Sequence, residues 1–466
     1  MRFLDRADET ARLDRVARSA VGGLAVVWGR RRVGKTRLLV EWCGRRGGLY
    51  VVADQSAPAL QRAYLAAAAS DVFPGFADAT YPDWASLFRR IAAEAKQRAW
   101  RGPLVVDELP YLVQTSPELP SVLQRFVDHD AKEARLTVVV AGSSQRMMQG
   151  LVLDATAPLF GRAREHFSLE PLGAGWLREA FAGLSPRAAV EHFAVWGGLP
   201  HYWDLARAVR PKALARQLDA LVLDPAGPLH REPDQLLLEE QPPATALRPI
   251  LDAIGLGAHR LSEIASRVGV PATSLSRPLQ RLIELGLVER ETPFGESEKG
   301  QKRSLYQLRD PFFRMWFRVV AAHRSQLARA PAAARIALWR KHRDGLIATT
   351  WERLCREAVP KLRLAGLPHF GPASRSWYRD GPEWDMVALS LDGGHALVGE
   401  AKWHARDATD DDLTRTASLL RKKGRPPGLA AATRVHQVAF FPSVDRGRSR
   451  EPIRVVDAGA VLDALR

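Results

Sequence analysis

A glycine-containing segment near the start of the chain has the residue types and spacing of a phosphate-binding loop. It fits the pattern G-x-x-x-x-G-K-[ST] and consists of Gly29, Arg30, Arg31, Arg32, Val33, Gly34, Lys35 and Thr36. An apolar run at residues 24–28 precedes it and a helical pattern at 37–43 follows it, which is the context that such a loop requires. The glycines let backbone N–H groups face phosphates, and the helix N-terminus adds a positive dipole end. We therefore expect ATP here, with Lys35 on the β- and γ-phosphates and the Thr36 hydroxyl on Mg²⁺.

Two acids follow a second apolar run, at residues 104–106, and are candidates to complete this site. Asp107 is expected to hold Mg²⁺ directly or through water, and Glu108 to polarise the attacking water as the catalytic residue. The alternative is that one acid only caps the next helix, and Glu108 is more open to that interpretation than Asp107.

Polar and basic residues further along supply weaker candidates for the same site. The apolar run at 136–142 ends in Ser143 and Ser144, and Ser143 is a candidate to contact the γ-phosphate. Arg162 and Arg164 are candidates to stabilise charge in the transition state, in their own site or in that of a neighbouring copy. In a chain this rich in arginine, an ordinary surface role is equally well supported for both.

A second set of charged residues lies near the C-terminus. Asp385 begins an apolar strand pattern, and a second pattern at 396–399 ends in Glu400, with Lys402 two residues further on. Two carboxylates on adjoining strands can bind Mg²⁺ or Mn²⁺, and a lysine on the same face can orient water or stabilise charge. These three are candidate nuclease residues, with Glu352 as a possible further acid from a helix. A domain that keeps this fold without activity is the alternative.

The elements that carry these residues divide the chain into several expected domains. Short apolar runs alternating with helical patterns over residues 1–172 predict an α/β domain with a parallel sheet. We expect a helical subdomain at 173–235, a linker near 224–243, a winged helix-turn-helix at 244–310, and a helical connector with a C-terminal α/β domain at 311–466.

The expected winged helix consists of a helix at 261–268, a glycine turn, a second helix at 271–285 and a hairpin with its tip at 295–302. Its second helix leaves polar side chains outward that suit contacts with DNA phosphates or bases: Thr273, Ser274, Ser276, Arg277, Gln280 and Arg281. Such domains also serve as protein-contact or autoinhibitory modules, and the sequence leaves the two roles evenly balanced.

Composition agrees with a nucleic-acid partner. The chain has 466 residues, a formal charge of +16 and two cysteines. The positive charge favours a polyanionic partner, although an arginine-rich composition alone also explains it. Two distant cysteines argue against a disulfide scaffold or a cysteine-based zinc site. No apolar run is long enough for a membrane span and the first 18 residues do not fit a signal peptide, so we expect a cytoplasmic protein.

Taken in order, these motifs resemble the archaeal-type ATPases, a branch of the signal-transducing P-loop ATPases with numerous domains, fused to a C-terminal DUF234 domain. The motifs that carry the resemblance are Phe3-Leu4-Asp5-Arg6 with Glu9, the loop at 29–36, Asp107-Glu108-Leu109-Pro110-Tyr111, Gly142-Ser143-Ser144 and Gly197-Gly198-Leu199-Pro200. The resemblance implies that Arg6 and Glu9 lie near the nucleotide base or the loop. It also implies a P-loop NTPase fold and a C-terminal domain similar to the PD-(D/E)xK nucleases, a restriction-endonuclease-like fold.

The expectation for function is thus an ATP-dependent switch with a DNA-binding arm and a nuclease-like effector domain. The alternative is an ATP-dependent DNA-binding regulator or signalling switch without nuclease activity. A homo-oligomer and a protein partner of unknown identity are both left open by the sequence.

Overall fold

The computed structural model describes residues 3–240, 244–296, 303–378, 381–445 and 453–466. Two compact units make up the chain. The N-terminal unit comprises Asp5–Pro171 with Glu239–Pro243, and the C-terminal unit comprises Met1–Leu4, Leu172–Leu238 and Ala244–Arg466. The boundaries expected for smaller domains within the C-terminal unit stay a prediction. In the described residues, no helix combines the length and the apolar character needed to cross a membrane.

The N-terminal unit is built on a parallel sheet with the strand order β2–β3–β4–β1–β5. The strands are β1 Gly23–Trp28, β2 Leu49–Val52, β3 Pro103–Asp107, β4 Thr137–Gly142 and β5 Ala163–Ser168. The helices are α1 Ala7–Ala17, α2 Lys35–Arg45, α3 Pro58–Ser70, α4 Trp84–Gln97, α5 Leu109–Thr115, α6 Leu119–Asp128, α7 Asp130–Ala134 and α8 Gln145–Val152. The central strands are almost fully buried runs of Leu, Val and Ala, as expected where helices cover both faces of a parallel sheet. The predicted α/β fold of this region is confirmed.

The carboxyl ends of β1, β3 and β4 lie at the same edge of this sheet. β1 pairs with β4 on one side and β5 on the other, and β4 also pairs with β3. Because parallel strands end at one edge, the loop after β1, the acids after β3 and the serines after β4 are brought together.

The C-terminal unit begins with helices and contains the winged helix. Its helices are α9 Leu177–Ala180, α10 Pro186–Trp196, α11 Pro200–Ala208, α12 Leu214–Leu218, α13 Glu232–Glu239, α14 Arg248–Gly255, α15 Leu261–Val268, α16 Ser276–Glu284, α17 Pro311–Met315, α18 Arg324–Leu327, α19 Ala332–Ala358, α20 Asp410–Lys423 and α21 Ala458–Ala464. The stretch expected as a linker at 224–243 contains α13. This helix packs into the fold through its apolar residues Leu236 and Leu237, which are buried. The linker expectation was therefore wrong for those residues.

In the winged helix, α14, α15 and α16 are followed by the antiparallel strands β6 Val288–Glu291 and β7 Leu305–Leu308. The second helix does not run unbroken from residue 271. A 3₁₀ turn at Ala272–Leu275 precedes α16, which places Pro278 in the first turn of α16. A proline there removes no helical hydrogen bond, since N–H groups of the first turn have no partner within the helix. Leu279 and Leu282 are buried, so the expected inward face of this helix is correct.

The C-terminal sheet is mixed, with the order β12–β11–β10–β9–β8. The strands are β8 Ser374–Ser376, β9 Trp384–Leu389, β10 His395–Ala401, β11 Arg434–Phe440 and β12 Arg454–Val456. β9 runs antiparallel to β8 and β10, whereas β10, β11 and β12 run parallel to one another. The 27-residue helix α19 buries Trp339 and Trp351 on its inner face. The predicted order of winged helix and strand-rich α/β domain is confirmed.

Gly22 fixes the close approach of the chain before β1 to the residue before β4. Its φ is 67°, and a Cβ built on it would lie 2.1 Å from the Leu136 carbonyl oxygen. We expect Gly22→Ala to lower the free energy of unfolding by more than the ~1–2 kcal/mol that a left-handed backbone alone costs an L-residue. Gly161→Ala is the matched control, because Gly161 has a φ of 71° and open space around its missing Cβ. Equal losses for the two variants in denaturant titrations would contradict the steric argument.

Candidate functional site

The loop after β1 has the backbone conformation that a phosphate cradle needs. Gly29 has a φ of 148° and Gly34 a φ of 99°, and Gly34 is the N-cap of α2. A Cβ at Gly29 would lie 2.6 Å from the Leu169 carbonyl oxygen, so a side chain at this position would collide with the backbone after β5. The loop therefore presents backbone atoms at the N-terminus of a helix, where the dipole favours an anion.

Lys35 is the buried cation of this loop, with 4% of its surface exposed. Its Nζ donates to the carbonyl oxygens of Gly29, at 2.8 Å, and Arg30, at 3.1 Å. Burial lowers the pKa of Lys35, and the negative charges of Glu108 and Asp107 oppose that effect. The loop offers Lys35 Nζ only neutral carbonyl oxygens as acceptors. A bound anion would supply the negative charge that stabilises this buried ammonium group.

Asp107 joins three elements through a buried carboxylate with no exposed surface. Its Oδ2 accepts hydrogen bonds from Thr36 Oγ1, at 2.8 Å, and Tyr50 Oη, at 2.9 Å, while its Oδ1 accepts from the Glu108 N–H at 2.9 Å. The hydroxyl of Thr36 and the carboxylate of Asp107 are separated by 71 positions in sequence. Oxygen ligands of these two types, side by side, fit Mg²⁺.

Tyr50, on β2, is a residue of this site that the sequence motifs did not indicate. Burial raises the pKa of its hydroxyl, and the neighbouring charge of Asp107 raises it further, so the hydroxyl stays protonated and donates. The only signal in the sequence was a tyrosine within a short apolar run, and no motif includes it.

Glu108 is held by Ser143 from the end of the neighbouring strand. Its Oε2 accepts from the Ser143 N–H at 3.1 Å, and its Oε1 accepts from the Ser143 hydroxyl in a short hydrogen bond. Glu108 has a φ of 54°, in the left-handed region that non-glycine residues rarely adopt, and it is the N-cap of α5 without a capping hydrogen bond from its side chain. Such strain is found at functional sites more often than elsewhere.

Arg6 contacts the loop from outside, and Arg31, within the loop, connects it to α5. Arg6 donates from Nη2 to the carbonyl oxygens of Val33, at 3.1 Å, and Glu170, at 2.9 Å, and from Nη1 to Glu9 at 3.0 Å. Arg31 donates to the Tyr111 hydroxyl at 2.8 Å. The resemblance implied a place for Arg6 and Glu9 near the loop, and the Arg6–Val33 hydrogen bond is such a contact.

The structure gives Arg162 and Arg164 partners other than the loop. Arg162 Nε lies 3.0 and 2.9 Å from the two carboxylate oxygens of Asp128, and Arg164 donates to the Ser19 hydroxyl at 2.5 Å. A contribution of either side chain to catalysis stays a prediction.

In the C-terminal sheet, Asp385 and Glu400 lie on one face. The register pairs Met386 of β9 with Gly399 of β10, so one further step along the antiparallel ladder sets Asp385 opposite Glu400. Asp385 Oδ2 accepts from the Ala401 N–H at 2.9 Å. Residues directly opposite in an antiparallel pair point to the same side, which is a necessary condition for two carboxylates to share a metal ion.

Glu400 is enclosed by two lysines. It is 1% exposed, its Oε2 accepts from Lys402 Nζ at 2.8 Å, and its Oε1 accepts from Lys423 Nζ in a short contact. Lys423, at the end of α20, was not foreseen, because its partner is 23 positions away in sequence. Burial works against the charge of Lys402, yet its hydrogen bond to Glu400 and the negative charge of that carboxylate raise the pKa of Lys402.

Glu352, on α19, lies beside this pair. Burial raises the pKa of Glu352, and the negative charge of Asp385 raises it further, while Arg356 opposes the change. Among the described residues, no group of three or more His, Cys, Asp or Glu side chains is arranged to hold a metal ion. The carboxylates are the ligand type that Mg²⁺ or Mn²⁺ prefers, but both oxygens of Glu400 are held by ammonium groups.

The outward side chains of the winged helix are accessible. Thr273, Ser274, Ser276, Arg277 and Gln280 are exposed, and Arg281 is half-buried. Of the wing, Arg303 pairs with Glu296 and lies 4.4 Å from the ring centroid of Tyr378. Most of the expected tip, residues 297–302 with Lys302, lies outside the described residues.

Three family models match successive parts of the chain. Residues 3–200 match an ATPase domain found predominantly in Archaea, residues 249–299 match the MarR family, and residues 316–414 match DUF234, a domain of archaeal and bacterial proteins of unknown function.

Two known proteins are similar over most of their length. An uncharacterized protein of Methanocaldococcus jannaschii is 28% identical over 429 residues, which cover 92% of this chain and 93% of that protein. A solved Walker-type ATPase of Pyrococcus abyssi shares the fold, with a TM-score of 0.54 and 19% identity, over 68% of this chain and 96% of that one. The resemblance inferred from the sequence is confirmed for the ATPase and DUF234 parts, whereas the similarity to nucleases is not established. The chain carries, in one polypeptide, an archaeal-type ATPase domain, a MarR-type winged helix and a DUF234 domain.

Proposed function

We propose that the protein is a Mg²⁺-dependent ATPase that serves as a nucleotide-controlled switch for a DNA-binding winged helix. The observation that carries the proposal is the convergence of Lys35, Thr36, Asp107 and Glu108 at one edge of the parallel sheet, with the Thr36 hydroxyl 2.8 Å from Asp107. Nucleotide binding at the same place is supported by Gly29, where an added Cβ would collide with Leu169, and by the buried ammonium group of Lys35, which donates to neutral carbonyl oxygens.

Each residue of this group has a chemical task. Lys35 and the loop N–H groups would hold the β- and γ-phosphates, and Thr36 and Asp107 would hold Mg²⁺. The ion, when bound, neutralises charge that develops on the phosphate oxygens. Glu108 would take the proton of the attacking water as general base, and Ser143 would set the orientation of its carboxylate.

Replacing Glu108 by Gln is expected to lower ATP hydrolysis by about a hundredfold or more while ATP still binds, because the carboxamide cannot accept the proton. The hydrolysis rate of Ser143→Ala should lie between the rates of Glu108→Gln and the parental protein. The backbone N–H of residue 143 still holds Glu108 when the hydroxyl is lost. Phosphate release under single turnover and titration with a fluorescent ATP analogue measure the two effects.

Lys35→Ala serves as the reference for lost binding, and Lys96→Ala, at an exposed position, as the neutral control. Parental turnover in a folded Glu108→Gln variant would assign the base to another residue.

DNA binding through α16 is supported by the exposed Ser276, Arg277 and Gln280 and by the formal charge of +16. Phosphate contacts release counterions, so affinity for duplex DNA should fall steeply as salt rises.

Arg277→Glu is expected to weaken duplex binding by about tenfold and to reduce the slope of log affinity against log salt by about one. Arg207→Glu, also exposed and in the same unit, is the control for a general charge effect. Fluorescence anisotropy over a salt series measures both quantities. Identical losses in the two variants, or affinity independent of salt, would argue for a protein-contact role of this domain.

A second candidate activity is cleavage of phosphodiesters by the C-terminal domain, favoured by the placement of Asp385 opposite Glu400 with Lys402 on the same face. Asp385 and Glu400 would hold Mg²⁺ or Mn²⁺, which supplies charge stabilisation at the phosphate. The rival is a regulator in which Glu400, clasped by two lysines, has only a structural role.

If the cleavage proposal is correct, Asp385→Asn and Glu400→Gln should each reduce cleavage of DNA or RNA by about a hundredfold or more, because both acids are needed to hold the ion. Lys402→Ala should slow cleavage with little change in metal affinity. Asp392→Asn, in the turn between β9 and β10, is the control. Plasmid, linear and single-stranded substrates with Mg²⁺ or Mn²⁺ provide the assay, and inactivity of the parental protein on all of them leaves the regulator.

A further inference from the structure

A cavity of about 740 Å³ lies within the C-terminal unit, and Glu352, the acid beside Asp385, is among its lining residues. Its walls come from α14, α15 and β7 of the winged helix, from the segment that begins with α17, from α19 and from Arg375 of β8. Its volume is within the range of roughly 300–1,000 Å³ that small-molecule sites occupy. A short ligand, rather than a duplex, is the size of molecule that fits it.

The lining of this cavity is strongly basic. Two acids line it, Glu263 and Glu352, against six cationic side chains: Arg260, Arg314, Arg318, Lys341, Arg356 and Arg375. Glu263 is engaged locally, because its Oε2 accepts from the N–H groups of His259, at 2.9 Å, and Arg260, at 3.0 Å. Arg356 and Arg375 pair with Glu291, which does not line the cavity, so the positive charge left facing the cavity comes from Arg314, Arg318 and Lys341.

Arg314 is the innermost of these cations. Its Nε is buried and finds no hydrogen-bond partner among the described residues, and its Nη2 makes only a long contact of 3.5 Å with the Thr350 hydroxyl. Burial, together with repulsion from Arg353, lowers the pKa of Arg314 to about 10. Such a guanidinium would gain from an anion that accepts its hydrogen bonds, because a buried donor without an acceptor destabilises the folded state.

His342 repeats this pattern on α19. Its Nε2 is buried without a partner in the part of the chain that the structure describes. The side chains around it include the cations Arg318 and Lys341 and the ring of His323, at a centroid distance of 5.4 Å. His342 lines the cavity beside these cations, with the ring of His323 next to it at an interplanar angle of 48°.

We propose that this cavity binds the phosphate groups of a nucleotide, either free or within a short single strand, through Arg314, Arg318 and Lys341. A nucleotide has multiple negative charges for the cationic side chains and an aromatic base that can contact the imidazole ring of His342. The proposal concerns binding alone, so it does not depend on cleavage at Asp385 and Glu400 or on ATP at Lys35.

The test is carried out in full-length protein with Lys35→Ala, which removes nucleotide binding at the loop. The probe is a fluorescent 5′-phosphorylated tetrathymidylate, followed by anisotropy. Unlabelled competitors distinguish the source of the phosphate: an unlabelled tetrathymidylate, the free 5′-mononucleotide and a tetranucleotide with an uncharged methylphosphonate backbone and no terminal phosphate. Competition by either charged ligand supports the proposal and identifies the source, whereas equal competition by the uncharged strand overturns it.

Two matched pairs of variants locate the binding. Arg318→Glu with Lys341→Glu should weaken binding by about tenfold or more, since each reversal removes a charge-assisted hydrogen bond. Arg329→Glu with Arg340→Glu changes the charge equally at exposed positions outside the lining and should leave binding unchanged. Equal losses in the two double variants would show a general surface effect and refute the site.

The second pair uses Gly345, which lines the cavity on α19 and has nothing within 4 Å of its missing Cβ. Gly345→Glu and Gly345→Gln should both fold, because each residue favours a helix more than glycine does. The affinity for the tetranucleotide should be about tenfold lower in Gly345→Glu than in Gly345→Gln, because the carboxylate competes with the ligand for the cations. Equal affinities for the two variants would place the bound strand elsewhere. A loss of tetranucleotide binding in Arg277→Glu, the variant that tests the winged helix, would overturn the assignment to the cavity and transfer the binding to α16.

Discussion

The N-terminal unit is organised around a carboxylate that has no access to solvent. Asp107 can be buried only because donors from three elements satisfy its oxygens: Thr36 of α2, Tyr50 of β2 and the backbone N–H of Glu108. Those contacts fix the start of α2 relative to the ends of β2 and β3. They thereby fix the loop between β1 and α2, where Lys35 lies. The parallel direction of the strands makes this possible, because the carboxyl ends of parallel strands lie at one edge of the sheet.

The C-terminal sheet uses a related solution with different chemistry. Glu400 is as deeply buried as Asp107, but its oxygens accept from the ammonium groups of Lys402 and Lys423 instead of from hydroxyl groups. Removing one partner of a buried ion pair leaves an uncompensated charge, so each of the three side chains restrains the other two. The charge balance around Glu400 is local, whereas the basic cavity beside α19 has more cations than the acids of its lining can neutralise.

Much of this arrangement was readable from sequence, for identifiable physical reasons. The loop at 29–36 and the acids at 107–108 were found because their chemistry is encoded within a few consecutive residues and flanked by strand and helix patterns. Asp385 and Glu400 were found because strand alternation sets the face on which a residue lies. Tyr50, Lys423 and Arg314 were missed, since each is defined by a partner or a cavity wall distant in sequence. Strands β8 and β12 were missed because each spans three residues, which is too short for a recognisable period.

Glu108 sits where folding and chemistry favour different amino acids. Its backbone is left-handed, a conformation that costs an L-residue about 1–2 kcal/mol and that glycine adopts freely. A substitution of Glu108 by glycine would therefore relieve the backbone strain and raise the free energy of unfolding. Its only cost would be the loss of the carboxylate that Ser143 holds. In related chains, glycine or asparagine at this position would therefore mark a lineage in which selection for the carboxylate has been relaxed, while the fold around it persisted or became more robust.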